Sequence, residues 1–214
     1  MNCFIAVETH LTNLQKPPKI RGFEWIGSNR RAKAGKPPTG GVGILLSSHF
    51  DVEWSESGED WVATAVRCNK KRLILVGVYV AHLLRGANAK MYAEISNLIR
   101  SKCESTDCIL IGGDMNGHIP RFDGKSDMRG RLLQNFAEEN DLLILNGSER
   151  CEGRYTRKSA VIDYVLGSPG AVETVQHMYI DDKRLLSSIS DHNLITVKCN
   201  IGGFKQKHRE TFCL

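Results

Sequence analysis

Apolar residues along the chain fall into short β-branched or aliphatic runs: Phe4–Val7, Val42–Leu46, Val62–Arg67, Leu73–Tyr79, Cys108–Ile111, Leu142–Leu145, Val161–Leu166, Val175–Ile180 and Leu194–Val197. Such runs, bounded by polar or turn-forming residues, predict strands. Two stretches repeat with helical period instead. In Asn88–Lys102 the residues Met91, Ile95, Leu98 and Ile99 share a face, and in Asp127–Asn140 the residues Leu132, Leu133, Phe136 and Ala137 do so. Both predict amphipathic helices. Because predicted strands outnumber helices, a sheet-rich α/β sandwich is expected rather than strict βαβ alternation. Pro37-Pro38, Gly40-Gly41, Gly112-Gly113, Gly147 and Ser168–Gly170 read as turns. No long Gly/Ser/Pro linker divides the chain, so residues 1–200 are expected to form one domain and residues 201–214 a basic C-terminal tail.

Composition narrows the class. The 214 residues are 41% hydrophobic and 25% charged, the balance of a globular domain able to bury its own core. No uninterrupted apolar stretch of about eighteen residues occurs, and the opening MNCFIAVETHL lacks a basic segment followed by a long apolar one, so no membrane association is expected. The seven cysteines are scattered, with no C-x-x-C pair, which predicts reduced thiols in an intracellular protein rather than a disulfide framework or a zinc site. Net charge is +5, with cations clustered in Asn29–Lys33 plus Lys36 and in Lys205–Arg209. Both clusters could face a polyanion, but charge clusters taken alone are more often solvated loop and tail residues.

Chemistry concentrates at predicted strand ends. Ile109–Asn116 reads as a buried strand running through two glycines into Asp114 and Asn116, whose side chains project to the same side of an extended segment. A carboxylate and an amide so placed can hold a hard metal ion, a phosphate oxygen or an attacking water, or can simply cap the backbone of an Asx-type turn. Asp163 lies within the apolar run Val161–Leu166, where a carboxylate is costly unless paired. Asp191 and His192 stand just before Leu194–Val197; an Asp on one imidazole nitrogen fixes the tautomer and frees the other nitrogen for proton transfer or phosphate contact. Glu8 follows Phe4–Val7 as a candidate cation ligand, and Tyr79 ends its run as a candidate phosphate contact or a packing residue with a wet hydroxyl. His10, His82 and His118 carry no spacing logic and are expected at the surface.

Taken in order, Glu-Thr (8–9), Gly-Gly-Val-Gly (40–43), Val-Tyr (78–79), Gly-Asp-Met-Asn (113–116), Ile-Asp-Tyr-Val (162–165) and Ser-Asp-His (190–192) resemble the endonuclease/exonuclease/phosphatase superfamily. Within it the sequence is most similar to the apurinic-type endonuclease domain of non-LTR retrotransposons, with Asp127–Asn146 resembling the helix and strand that follow the Asp-x-Asn motif there. The resemblance runs from Met1 to about Cys199. It implies a four-layer sandwich of two packed mixed β-sheets flanked by helices, with the site at one end of the sheets. It implies Glu8 and Asp191 as metal ligands, Asp114 as the group that orients or deprotonates the nucleophilic water, Asn116 and Tyr79 on phosphate, and His192 at the scissile group backed by Asp163. In the family a strand bearing an Asn ligand, and a helix, precede the Glu; this chain begins almost at Glu8, so an N-terminally truncated version is expected, with unpaired backbone groups on a neighbouring strand.

The function so implied is a Mg²⁺-dependent (or Mn²⁺-dependent) phosphodiester hydrolase, a retroelement-derived endonuclease that nicks DNA, nuclear if it acts on genomic DNA. Two alternatives stand beside it: a catalytically silent domain with residual nucleic-acid binding, and a superfamily member acting on a phospholipid or inositol phosphate. No Tyr-x-Asp-Asp signature follows, so the chain is not expected to complete retrotransposition by itself; it reads as a domain once fused to a reverse transcriptase that is absent here, and no obligate protein partner is evident in the sequence.

Overall fold

A computed structural model describes residues 2–28, 39–68, 71–81, 85–186 and 190–201. Both basic clusters, His82, Pro37-Pro38 and Cys213 lie outside the described residues. The centre is a six-stranded mixed sheet in the order β4 (Asp51–Ser57), β5 (Trp61–Cys68), β6 (Lys71–Tyr79), β7 (Cys108–Asp114), β10 (Asp163–Gly167) and β8 (Leu143–Ile144). The β6–β7 pair is parallel and is connected through α1 (Arg85–Lys102), the crossover length that parallel pairing requires. Strands β6 and β7 are continuously apolar because both faces are covered. On β6, Ile74, Val76 and Val78 join a cluster with Met91, Tyr92 and Ile95 of α1 and with Leu133 and Phe136 of α3 (Met128–Glu139). The alternate residues Leu73, Leu75 and Tyr79 face the other way.

That other face carries a second β layer in two parts. One is the antiparallel sheet β1 (Cys3–Val7), β3 (Val42–Ser47) and β2 (Phe23–Ser28), in the order β1-β3-β2. The other is β12 (Ile195–Cys199), β11 (Val175–Ile180) and β9 (Cys151–Glu152), packed on β10 together with α4 (Pro169–Thr174). Leu110 of β7 touches the apolar clusters of both parts. Among the described residues β1 and β12 are edge strands, and their inward side chains, Cys3, Ile5 and Val7 on one and Ile195, Val197 and Cys199 on the other, are only half-buried. The α/β sandwich is therefore the one the sequence predicted.

Local differences have local reasons. Strand β2 was not predicted because Gly27 and Glu24 interrupt its apolar pattern, and β4 because its Asp, Glu and Ser residues belong to a solvent-facing edge. The two-residue strand β9 carries too short a pattern to be seen. The predicted turn Ser168–Gly170 opens α4, with Pro169 at the first helical position, where its missing N–H costs nothing. Pro120–Asp123 (α2) begins with a proline in the same way. Only two residues of Leu142–Leu145 pair as strand β8, and β10 begins at Asp163 rather than Val161. His118 is not a plain surface residue: its Nδ1 lies 2.6 Å from Asp123 Oδ2 and it is half-buried. The six described cysteines are unpaired, and no described helix is long and apolar enough to cross a membrane.

Candidate active site

Strand register assembles the polar centre. Tyr79, the last residue of β6, is paired with Asp114, the last of β7, and Asp114 is paired with Asp163, the first of β10. Cross-strand partners share a face, so the three side chains form one row at the end of the central sheet, facing the second β layer. Gly113 makes this approach possible: its φ is +149°, and a Cβ there would collide with the Val78 carbonyl. From the second layer, Glu8 follows β1 and Asp191 and His192 precede β12, so all converge on the same mouth.

The row is tightly wired. Asn116, at φ 45°, donates its backbone N–H to Asp114 Oδ1 at 2.9 Å, and its Nδ2 donates to Asp114 Oδ2 and to the Val80 carbonyl, each at 2.9 Å. His192 Nδ1 lies 2.9 and 3.0 Å from the two oxygens of Asp163. The Tyr79 hydroxyl donates to Glu8 Oε1 at 2.5 Å. Asp114, Asn116 and Asp163 are buried, His192 is half-buried, and Glu8 and Asp191 are exposed. Glu8 has φ 51°, so two of these non-glycine residues adopt the left-handed conformation, a local strain that accumulates at functional sites.

Electrostatics separates the groups. Burial, and then the charge of Asp163, push the Asp114 carboxyl up to about 7, against the opposing hydrogen bond from Asn116. Burial lowers the His192 imidazole, but its hydrogen bond to Asp163 and the charges of Asp163, Asp114 and Asp191 outweigh this and leave it above its ordinary value. Asp191 is held below the ordinary carboxylate range by its hydrogen bond from Arg157.

Ligand atoms of Asp114, Asp163 and His192 lie within 4.8 Å of one another. Two carboxylates beside an imidazole are a donor set that fits a hard divalent cation. Glu8 and Asp191, the ligands implied by the family resemblance, stand at the rim, one bonded to Tyr79 and the other to Arg157. Three supporting residues went unread in the sequence. Asn146 clamps β10 by donating to the Asp163 carbonyl and accepting from Val165 N. Thr156 Oγ1 accepts from both Ile162 N and Asp163 N. Arg157 Nε and Nη2 donate to Asp191 Oδ2 at 2.9 and 2.5 Å. A polar run such as Arg154–Ser159 offers no periodicity from which to pick out its anchored members.

Residues 73–196 match the family described as endonuclease–reverse transcriptase. No curated protein sequence matches the chain. Among solved structures it is similar to the endonuclease domain of TRAS1, a telomere-specific non-LTR retrotransposon, at 19% identity and TM-score 0.67, covering 86% of this chain and 83% of that one. It is also similar to the Xenopus laevis APE2 catalytic domain, at 16% identity and TM-score 0.73, covering 92% and 83%. A third similar structure is the 3′-5′ exonuclease NExo from Neisseria meningitidis, at 16% identity and TM-score 0.70, covering 92% and 89%.

Proposed function

We propose, for a chain that belongs to the endonuclease–reverse transcriptase family, that it is a divalent-metal-dependent phosphodiester hydrolase that nicks DNA and derives from a retroelement. The observation that carries the reading is the row Tyr79, Asp114 and Asp163, with His192 and Glu8 closing on it from the second layer. The similarity to a retrotransposon endonuclease domain supports DNA as the substrate.

Glu8 and Asp191 at the rim would hold Mg²⁺ or Mn²⁺ beside Asp114 and Asp163, and the ion would stabilise charge developing on the phosphate. Asp114 is suited to take the proton of the attacking water, because its raised pKa lies near neutrality. The water oxygen bonds to phosphorus as the bond to the leaving sugar oxygen breaks, and that oxygen takes a proton from solvent. His192, fixed through Nδ1 by Asp163, turns Nε2 toward the phosphate as a charged donor. Both amide hydrogens of Asn116 are already engaged, on Val80 and Asp114, so its part is to fix Asp114 rather than to donate to phosphate. Tyr79 likewise holds Glu8.

Nicking of supercoiled plasmid in Mg²⁺ or Mn²⁺, abolished by excess EDTA, is the expected result. Undiminished nicking in chelator refutes the metal assignment. Hydrolysis of a phospholipid or inositol phosphate in place of DNA moves the substrate to the rival class, and inactivity on all of them leaves a silent domain.

A further inference from the structure

Arg157 is mounted with more care than an exposed ion pair needs. It sits on a four-residue turn closed by Arg157 N to the Ala160 carbonyl at 3.1 Å and by Ala160 N to the Arg157 carbonyl at 2.8 Å, with Lys158 at φ 51°. The preceding Thr156 is fully buried. It accepts from the backbone of Asp163 through Oγ1, and its carbonyl accepts from Asn193 N at 2.6 Å, while Asn193 Nδ2 donates to the Tyr155 carbonyl at 2.7 Å. The turn is thus locked to Asp163 on one side and to the residue after His192 on the other. Both guanidinium bonds go to a single oxygen of Asp191, and Arg157 Nη1 has no partner among the described residues. The pair is 38% and 59% exposed, and ion pairs so exposed add too little to stability to account for the mounting.

The surroundings state what the guanidinium lacks. Glu8, Asp114, Asp163 and Asp191 gather four carboxylates around one mouth, and the charge of Arg157 interacts with Asp191, Asp114 and Glu8. A phosphodiester entering that mouth brings another negative charge and gains more as water attacks. A planar fork with one edge fixed on a carboxylate and the other edge open matches the oxygens of a phosphate.

We propose that Arg157 is a catalytic residue that grips a non-bridging oxygen of the scissile phosphate, with Asp191 as the group that aims it. Nε and one hydrogen of Nη2 stay on Asp191, while Nη1 and the second hydrogen of Nη2 face the phosphate. The proposal rests on reading the site as a phosphodiester hydrolase.

The test compares the parent chain with Arg157→Gln and Arg157→Lys in two assays. In Mg²⁺-dependent plasmid nicking, Arg157→Gln is expected to lower kcat about tenfold to a hundredfold with KM changed less than about threefold, and Arg157→Lys to fall between, because a grip tightened in the transition state acts on kcat. In metal-free protein, inorganic phosphate is titrated while the amide signals of Arg157 and His192 are followed by NMR. Arg157→Gln is expected to weaken the apparent phosphate affinity at least about tenfold, as loss of a bidentate charged donor requires. If the parent nicks DNA and binds phosphate but Arg157→Gln does both equally well, the grip is wrong and the proposed function stands. If nicking falls only in step with a lowered melting temperature, and phosphate affinity is unchanged, Arg157 is structural and the proposal is overturned. If the parent does not nick, the proposed function fails separately; phosphate binding that still depends on Arg157 supports the grip, and binding that does not overturns it.

Discussion

The Tyr79 hydroxyl donates to Glu8 Oε1 at 2.5 Å, joining the end of β6 in the central sheet to the residue that follows β1 in the second layer. A hydrogen bond to a charged group contributes about 1.5–3 kcal/mol. Tyr79→Phe is therefore expected to loosen Glu8 and to reduce nicking about tenfold with the fold intact, as read by circular dichroism and initial rates. Parental activity in the variant would show that the bond does not serve the site.

His192→Ala removes the imidazole that Asp163 orients. A loss of about a hundredfold or more in nicking rate is expected, with the fold intact by circular dichroism. Asp163→Asn should also slow the reaction, because an amide cannot hold the imidazolium as a carboxylate does. A His192→Ala protein that nicks at the parental rate places the chemistry elsewhere.

Asp114 makes stability fall as pH rises. Its folded pKa, about 7, lies above the unfolded value of about 3.9. Between these values the folded state binds more protons than the unfolded one, so stability declines across that window. His192 acts in the same direction: its folded value is raised, so its contribution is present below the unfolded pKa and is lost as pH climbs through the folded one. In EDTA the parent should melt several degrees lower at pH 8 than at pH 5, and Asp114→Asn should flatten most of that slope. An equal slope in parent and variant contradicts the burial of an ionisable Asp114.

Asp127 caps α3, its Oδ1 accepting from Gly130 N at 2.8 Å and from His118 N at 3.0 Å. Gly130 is required there because a Cβ would collide with the His118 carbonyl. Asp127→Ala should cost about 1–2 kcal/mol, lowering the melting temperature by about 2–4 °C per kcal/mol for a chain of this size. Calorimetry checks this; an unchanged midpoint means that the cap is dispensable.

The site residues named from sequence share a visible signature: a polar side chain where an apolar strand begins or ends. Asp114, Tyr79 and Glu8 satisfy it, Asp163 stood out instead as an acid inside the apolar run Val161–Leu166, and the strand pairing explains why they meet. Their pairings were not legible, since register depends on strands far apart in the chain. Asn116 shows the limit: its spacing from Asp114 was readable, but not that both amide hydrogens would be used internally. Thr156 and Arg157 lie in an irregular turn whose importance comes from Thr156 accepting from Ile162 N, Asp163 N and the distant Asn193 N, and no local pattern encodes those bonds. The same distinction holds in the fold. The doubly covered strands β6 and β7 were evident from unbroken hydrophobicity, whereas β4, with Asp51, Glu53 and Glu56 on a sheet margin, resembled a loop.

That charged margin has a counterpart without such protection. Strand β4 carries Asp51, Glu53 and Glu56, with Glu53 paired to Arg67 and Arg72 and Glu56 to Lys102, and charged side chains on an edge strand are a common guard against another chain. Strand β1 reads Cys-Phe-Ile-Ala-Val with no charge at all, and β12 carries only Lys198. Neither contains proline. Among the described residues no strand pairs with the outer N–H and C=O groups of β1 and β12, and such groups are templates onto which an extended polypeptide can add, the first met in a concentrated solution being another copy of the same chain. Self-association by strand addition should therefore set the working concentration of this protein, and charged substitutions on β1, at the exposed Phe4 rather than at the catalytic mouth, are the place to raise it.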